Sequence, residues 1–224
     1  MMKADLGGAA AIVGAFEALA DLHVPLHVIG LLPATDNRPG RKAYVPGDVV
    51  RMHSGATVEV MNTDAEGRLL LADALSYAAD AYEPEEIVDV ATLTGSCVVA
   101  LGQAAAGVMT SETDAAAERL YAIQRAGERT GERVHPLPMY DVYKEHLESD
   151  IADLKNVGGR QAGAITAGKF LEHFVGDVPW LHLDIAGPAF RKTAQTYQPK
   201  GGTGFGVRLL VDYLRNYLVA REQD

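Results

Sequence analysis

Cysteine is nearly absent from this 224-residue chain, Cys97 being the only one. An internal disulfide framework is therefore excluded, and a reducing, cytoplasmic setting is expected. No run of about 18 apolar residues occurs, so no membrane span is expected. The opening Met-Met-Lys-Ala-Asp lacks the apolar stretch of a signal peptide, and none is expected. Positive charge is also short: 20 Lys and Arg face 30 Asp and Glu, a formal charge of -10. That balance argues against nucleic acid as the main partner and suits a cation site. No internal repeat, low-complexity tract or clear linker breaks the chain. What is present is 48% hydrophobic, enough for a packed core, at a length that fits one large domain or two small ones.

Helical and extended patterns alternate. Small residues from Gly7 to Leu22 read as a helix with Asp5 near its N-cap. Val24 to Leu32 is apolar on both faces, as a buried parallel strand is. The proline-bearing stretch Pro33 to Gly47 is a loop. Val49 to His53 and Thr57 to Met61 form a hairpin around Ser54-Gly55. Leu69 to Ala79 reads as a helix and Glu86 to Leu93 as a second buried strand. Thr113 to Thr130 is an amphipathic helix with a solvated charged face, and Tyr140 to Ser149 another helix. The Gly-rich stretch Lys155 to Thr166 leads into a helix ending near Phe174. Trp180 to Ile185 is a third buried strand, and Phe205 to Arg221 closes the chain as a helix. The pattern predicts one α/β domain over residues 1–224, a mixed, mostly parallel sheet sandwiched between helices.

The heptapeptide Asn62-Thr63-Asp64-Ala65-Glu66-Gly67-Arg68 carries the densest chemistry. In an extended segment, residues two apart point the same way. Asp64, Glu66 and Arg68 would then crowd one volume, and two facing carboxylates repel unless a cation lies between them. Arg68 neutralises only half of that charge, so a divalent metal is the expected answer. A second reading is a plain helix start, with Asp64 as N-cap and Glu66 favoured by the helix dipole. Asp5 has the same two readings. The loop lies between strand and helix, where α/β proteins usually keep their ligand sites.

Extended to Leu69, this stretch resembles the signature octapeptide of the zinc leucyl aminopeptidase (cytosol aminopeptidase) family. Met2-Lys3-Ala4-Asp5-Leu6-Gly7-Gly8-Ala9-Ala10 resembles that family's segment with another metal-binding aspartate. Asp36-Asn37 with Pro46-Gly47-Asp48-Val49, the strand end Asp89 to Gly95, Asp153 to Thr166, and His182-Leu183-Asp184-Ile185-Ala186-Gly187 follow in the family's order. The resemblance implies an exopeptidase that releases N-terminal residues, leucine preferred, from peptides. Two divalent ions, zinc or manganese, would clamp the attacking water and the substrate carbonyl. By resemblance Asp5, Asp64 and Glu66 are metal ligands, Glu66 bridging the ions. Arg68 is catalytic, holding a bicarbonate that serves as general base. Thr92, Leu93 and Gly95 line the pocket by the scissile bond, and Met2, Ala186 and Ala189 shape an apolar slot for the first side chain.

The family's lysine in a Gly-Lys-Gly run, its aspartate in Phe-Asp-Ser-Gly-Gly and a second, oxyanion-stabilising lysine have no counterpart in residues 1–224. The resemblance places them before Met1, with a separate N-terminal domain ahead of them. Three of five ligand side chains are thus expected in this chain. An apolar edge and face would be left for a partner to cover: the upstream fragment, a swapped partner, or a homo-oligomer, hexameric by resemblance. The alternative is a truncated, non-catalytic homologue acting as an oligomeric or binding module. Elsewhere, Gly158-Gly159-Arg160 lacks the spacing of a nucleotide loop and suits a lid or oligomer contact. His182 is expected to be a satisfied core histidine and Cys97 a buried thiol.

Overall fold

The computed structural model describes residues 2–113, 115–195 and 197–218, apart from the side chains of Met2, Tyr217 and Leu218. The chain starts with a 3-10 turn at Met2–Leu6 and runs into α1 (Gly7–Leu22). Gly8, Ala11, Ala15 and Leu19 are its buried residues, a helical repeat of small side chains that lets the helix lie close to the strand beneath it. β1 (Val49–Arg51) and β2 (Thr57–Glu59) form the expected antiparallel hairpin, Val50 opposite Val58. α2 (Glu66–Tyr82) ends at Glu83, which takes the left-handed conformation ahead of Pro84. β3 (Ile87–Ala91), α3 (Gly95–Leu101), β4 (Ala106–Met109), α4 (Ala116–Thr130) and β5 (Val134–Pro136) follow. After a 3-10 turn at Asp141–Leu147 come β6 (Leu154–Lys155), α5 (Gly163–Glu172) and β7 (Trp180–Asp184). β8 (Phe190–Arg191) and β9 (Gly201–Gly202) make a small hairpin, and α6 (Val207–Tyr213) passes into a π turn at Leu214–Leu218.

The central sheet has the order β3-β7-β4-β5, and two of its three pairings, β3 with β7 and β4 with β5, are parallel. β7 is buried at every residue, which only a strand with helices on both faces achieves. Its alternation divides the core. Leu181 and Leu183, with Ile185 beyond the strand, pack with Ala11, Phe205, Leu209 and Tyr213 from α1, α6 and the turn before α6. Trp180 faces the other way, against Leu69 and Leu75 of α2 and Phe170 of α5. This is the mixed sheet between helices that the pattern predicted. A smaller sheet, β1-β2-β6, continues from the hairpin, with β6 parallel to β2.

Four expectations about elements change. Val24 to Leu32 is not a strand and pairs with nothing among the described residues. Its apolar side chains suit a sheet, but a strand exists only where a neighbour takes up its backbone hydrogen bonds. α2 starts at Glu66 rather than Leu69. The helix expected over 140–149 is the shorter 3-10 turn. The closing helix begins at Val207, and its expected last residues, 219–221, lie outside the described residues.

The unpaired segment has a consequence for shape. β3 has β7 on one edge and, among the described residues, no strand on the other. Facing that free edge, Leu26 to Arg38 and α2 enclose a cavity of about 1570 Å³, with Ile87 to Leu93 on its opposite wall. Ile29 and Leu32 are 41% and 48% exposed there.

The seat of α1 on β3 yields a direct test. A Cβ on Gly8 would lie 1.9 Å from the Val90 carbonyl oxygen, a backbone atom that cannot swing aside. Gly8→Ala is expected to destabilise the fold by about 1–3 kcal/mol, lowering the thermal midpoint by several degrees. Gly67→Ala, whose Cβ would meet only Leu93 Cδ1 at 3.8 Å, should leave it nearly unchanged. Equal melts for the two variants would show that α1 is not seated so closely.

Candidate active site

Three loops meet where parallel strands end. β2 leads into Asn62 to Ala65, β3 into Thr92 to Thr94, and β7 into Ile185 to Ala189. The core of the arrangement is Asp184, fully buried at the end of β7. Its Oδ1 accepts the backbone N–H groups of Leu93 (3.1 Å), Thr94 (3.4 Å) and Ala186 (3.2 Å), and its Oδ2 accepts the Thr94 hydroxyl at 2.6 Å. The Thr94 oxygen in turn accepts the Cys97 N–H at 3.0 Å and caps α3. One carboxylate thus ties the loops after β3 and β7 together. Burial raises its pKa, and the nearby His182 and the donors on Thr94 and Ala186 pull the other way without cancelling that rise.

His182 lies on the same face of β7, two residues back. Its Nδ1 bonds Asp89 Oδ1 at 2.6 Å, across from it on β3, while Asp89 Oδ2 accepts the Trp180 indole N–H at 2.6 Å. Burial would lower the imidazole pKa, but the Asp89 carboxylate outweighs it and raises the group above its ordinary range. His182 is the expected core histidine on one side only, since its Nε2 has no hydrogen-bond partner. Cys97 is the expected buried thiol, its pKa pushed up to about 12 by burial and the negative Asp184.

The predicted ligands lie at the open end of the cavity. Asp5, exposed on the first turn, has its Oδ1 bonded by the Thr92 hydroxyl at 2.7 Å. Asp64 is exposed and Glu66 half-buried. Burial raises the Glu66 pKa, the charges of Asp5 and Asp64 raise it further, and the Asn37 amide bonded to Oε2 at 2.7 Å partly offsets them. The three carboxylates therefore share one electrostatic field. They do not form a coordination shell: among the described residues, no group of three or more His, Cys, Asp or Glu is gathered closely enough to hold a metal ion.

The extended geometry expected of the heptapeptide is also corrected. Glu66 and Arg68 lie in the first turn of α2, where residues two apart point about 200° apart. Glu66 faces Asn37. Arg68 turns inward, is 8% exposed, and donates from Nη1 to the Asn156 carbonyl at 2.8 Å. Burial lowers its pKa to about 10, against the opposing pull of Asp184. Its Nε is buried with no hydrogen-bond partner, an unmet donor that a small anion would satisfy. The plain helix-start reading holds for Glu66, an acid in the first turn. It fails for Asp64, because the N-cap is Ala65 and no side chain caps it.

Thr92, Leu93 and Gly95 line the cavity with Asp5, Asp64, Glu66 and Arg68. Ala186 and Ala189 do not. Ala189 is buried in the core, near the spot a Gly7 Cβ would occupy. The Met2 side chain lies outside the described residues. Asp184 and Asn37 were not singled out from sequence, though both sit inside segments that carried the resemblance.

A model of the cytosol aminopeptidase family's catalytic domain matches residues 1–211. The chain belongs to that family. It is 56% identical over 214 residues to a probable cytosol aminopeptidase of Geobacter sulfurreducens and 57% identical over 217 residues to one of Chloroherpeton thalassium. Each match takes in 96% of this chain and 42% of the relative, so the chain spans less than half the length of these proteins. Among solved structures it is similar to the bottromycin maturation enzyme BotP in complex with Mn, at 42% identity and a TM-score of 0.89, over 96% of this chain and 47% of that one. A mutant of tomato leucine aminopeptidase matches at 42% identity and a TM-score of 0.85, over 95% of this chain and 41% of that one. Family membership makes the chain part of an aminopeptidase lineage. No helix among the described residues is long and apolar enough to cross a membrane.

Glu66 gives the pH test. Its folded pKa lies above the ordinary 4.5, so the folded chain holds this proton longer than the unfolded chain does. Stability therefore falls as pH rises from about 4.5 through the folded value, and stays lower above it. In chelator at pH 7, Glu66→Gln is expected to raise the thermal midpoint by roughly 1–3 °C, the gain vanishing near pH 4. A lower midpoint at pH 7 would show that Asp5 and Asp64 do not press on this group.

Proposed function

We propose that this chain carries the signature part of a metallo-aminopeptidase active site that releases N-terminal residues, leucine foremost, from peptides. The observation that carries the reading is the shared field of Asp5, Asp64 and Glu66 beside the inward-turned Arg68, on a chain of this family. Two divalent ions, zinc or manganese, would supply a low-pKa water and polarise the scissile carbonyl when bound. The three carboxylates contribute negative charge to that site, and as they stand they do not complete it. Arg68 offers its unmet Nε to an anion, bicarbonate on this reading. Asp184 holds the Thr92 to Gly95 wall against which a substrate backbone would lie. Ala186, with Met2 and Ala189, is assigned to the apolar first-residue slot on resemblance alone.

The remaining donors are not found within residues 1–224, and the cavity beside β3 is where a segment bearing them would fit. Its walls are a free strand edge and an apolar segment without a strand partner. We assign to it the polypeptide that precedes this region in the family's order, bearing the Gly-Lys-Gly lysine and the Phe-Asp-Ser-Gly-Gly aspartate. Homo-oligomers, hexamers by resemblance, and a cytoplasmic location complete the proposal. A second reading, a non-catalytic binding module, is favoured for the chain by itself because its carboxylates are not gathered into a metal site.

Hydrolysis of leucine-p-nitroanilide with added Mn²⁺ or Zn²⁺ separates the two. The chain alone is expected to be nearly inactive. Supplied in trans with the preceding catalytic segment of the Geobacter sulfurreducens relative, it should turn over substrate. Glu66→Ala should abolish that turnover, and Arg68→Ala lower it by roughly 10²–10³. A stable complex of the two pieces with no turnover would establish the binding-module reading instead.

A further inference from the structure

We infer that Asn156 is a positioning residue that presets the signature loop and Arg68 before any metal or substrate arrives. The inference rests on reading Asp64, Glu66 and Arg68 as the site. Asn156 follows β6, which runs parallel to β2 with Glu59 opposite Lys155. Its backbone N–H continues that ladder by donating to the Glu59 carbonyl at 2.9 Å. Beyond this point β2 turns away into the loop, and the Asn156 side chain takes over where the backbone can no longer reach.

Its Oδ1 accepts the N–H groups of Met61 (2.8 Å) and Asn62 (3.2 Å). Its Nδ2 donates to the carbonyls of Asn62 (2.7 Å) and Ala65 (3.5 Å). Its own carbonyl accepts Arg68 Nη1 at 2.8 Å. The residue is fully buried, so both amide protons and both oxygen lone pairs are used inside the protein. Each of these bonds ends on the stretch from Glu59 to Arg68.

The residue type follows from this set. The loop offers two donors and two acceptors to one short side chain. Aspartate would turn an oxygen toward the Asn62 and Ala65 carbonyls and bury an unpaired charge. Lysine or arginine would hold carbonyls but has no acceptor for the Met61 and Asn62 N–H groups. A neutral amide of this length grips the loop and leaves its charge untouched. Fixing Met61 to Ala65 sets where Asp64 stands, and Ala65 is the N-cap from which Glu66 and Arg68 begin α2. The Asn62 side chain closes the inner turn by accepting the Asp64 N–H at 2.9 Å, and Asn37 holds the outer side through the Thr63 carbonyl at 3.1 Å.

Amide hydrogen exchange on the chain in chelator tests the inference without metal. In the native chain, the Asn156 side-chain NH₂ protons and the Met61 and Asn62 amides should resist exchange at least 100-fold relative to a free amide. In Asn156→Ala, exchange across 61–65 should quicken at least tenfold while 87–91 and 180–184 keep their protection. Rapid exchange of the native NH₂ protons, or a uniform loss of protection in the variant, would overturn it. The first of these measurements needs no variant to fold. In the reconstituted enzyme, Asn156→Ala should lower kcat at least tenfold with KM within threefold. A Leu209→Ala variant destabilised in the opposite core should keep kcat within twofold. Equal kcat losses in the two variants would also overturn it. An inactive native reconstitution would count against the proposed activity alone, since the exchange pattern decides the positioning role separately.

Discussion

The buried carboxylate of Asp184 is the constraint on which the site depends. A lone carboxylate in an apolar core is costly, and the fold answers with four donors from two loops. Those donors exist only because β3 and β7 are parallel and in register, Ala91 opposite Asp184, so that both strands release their loops at one end. Removing the carboxylate would leave the Leu93, Thr94 and Ala186 N–H groups to find other acceptors in a place with little water. The walls of the cavity are thus set by an ionisable group that faces away from it.

Charge is segregated around this point. Inside the sheet–helix layer, His182 is held by Asp89, and Arg68 lies within reach of Asp184's field. At the cavity, Asp5, Asp64 and Glu66 share one field, with the Thr92 hydroxyl bonded to Asp5 and the Asn37 amide bonded to Glu66. The inner charges are balanced by geometry that the chain completes itself. Glu66 carries a raised pKa, from its burial first, with the charges of Asp5 and Asp64 adding to it. Stability therefore works against an ionised Glu66, whose charge the proposed metal site would need.

Much of this architecture was legible in the sequence, for physical reasons that differ by element. β7 could be read from Trp180 to Ile185 because a strand buried on both faces needs an unbroken run of residues suited to burial. The hairpin could be read because Ser54-Gly55 punctuates two short runs. The family could be read from the order of its motifs. Val24 to Leu32 misled because apolar content reports burial, whereas a strand needs a partner, and partnership is not a local property. The heptapeptide misled in geometry though not in location. Two-residue spacing implies convergence only in extended chain, and α2 begins early enough to claim Glu66 and Arg68. Asn156 stayed hidden because its meaning comes from β6, a two-residue strand too short to leave a pattern, lying beside a loop about 90 positions earlier in the chain.

The open edge and the open charge are one problem rather than two. The cavity runs continuously from the apolar flank of β3 to the carboxylates. Anything extended that pairs with β3 and covers Leu26, Val28 and Leu31 would share that cavity with Asp5, Asp64 and Glu66. An apolar strand ending in a cationic or metal-binding residue would satisfy the edge, the exposed apolar surface and the carboxylate field together. A purely hydrophobic occupant would bury the edge and worsen the repulsion by desolvating the three acids further. A free metal ion would relieve the acids and leave the edge bare. The preceding family segment, proposed above as the occupant, would have to bring its lysine and aspartate to those three acids to meet both needs.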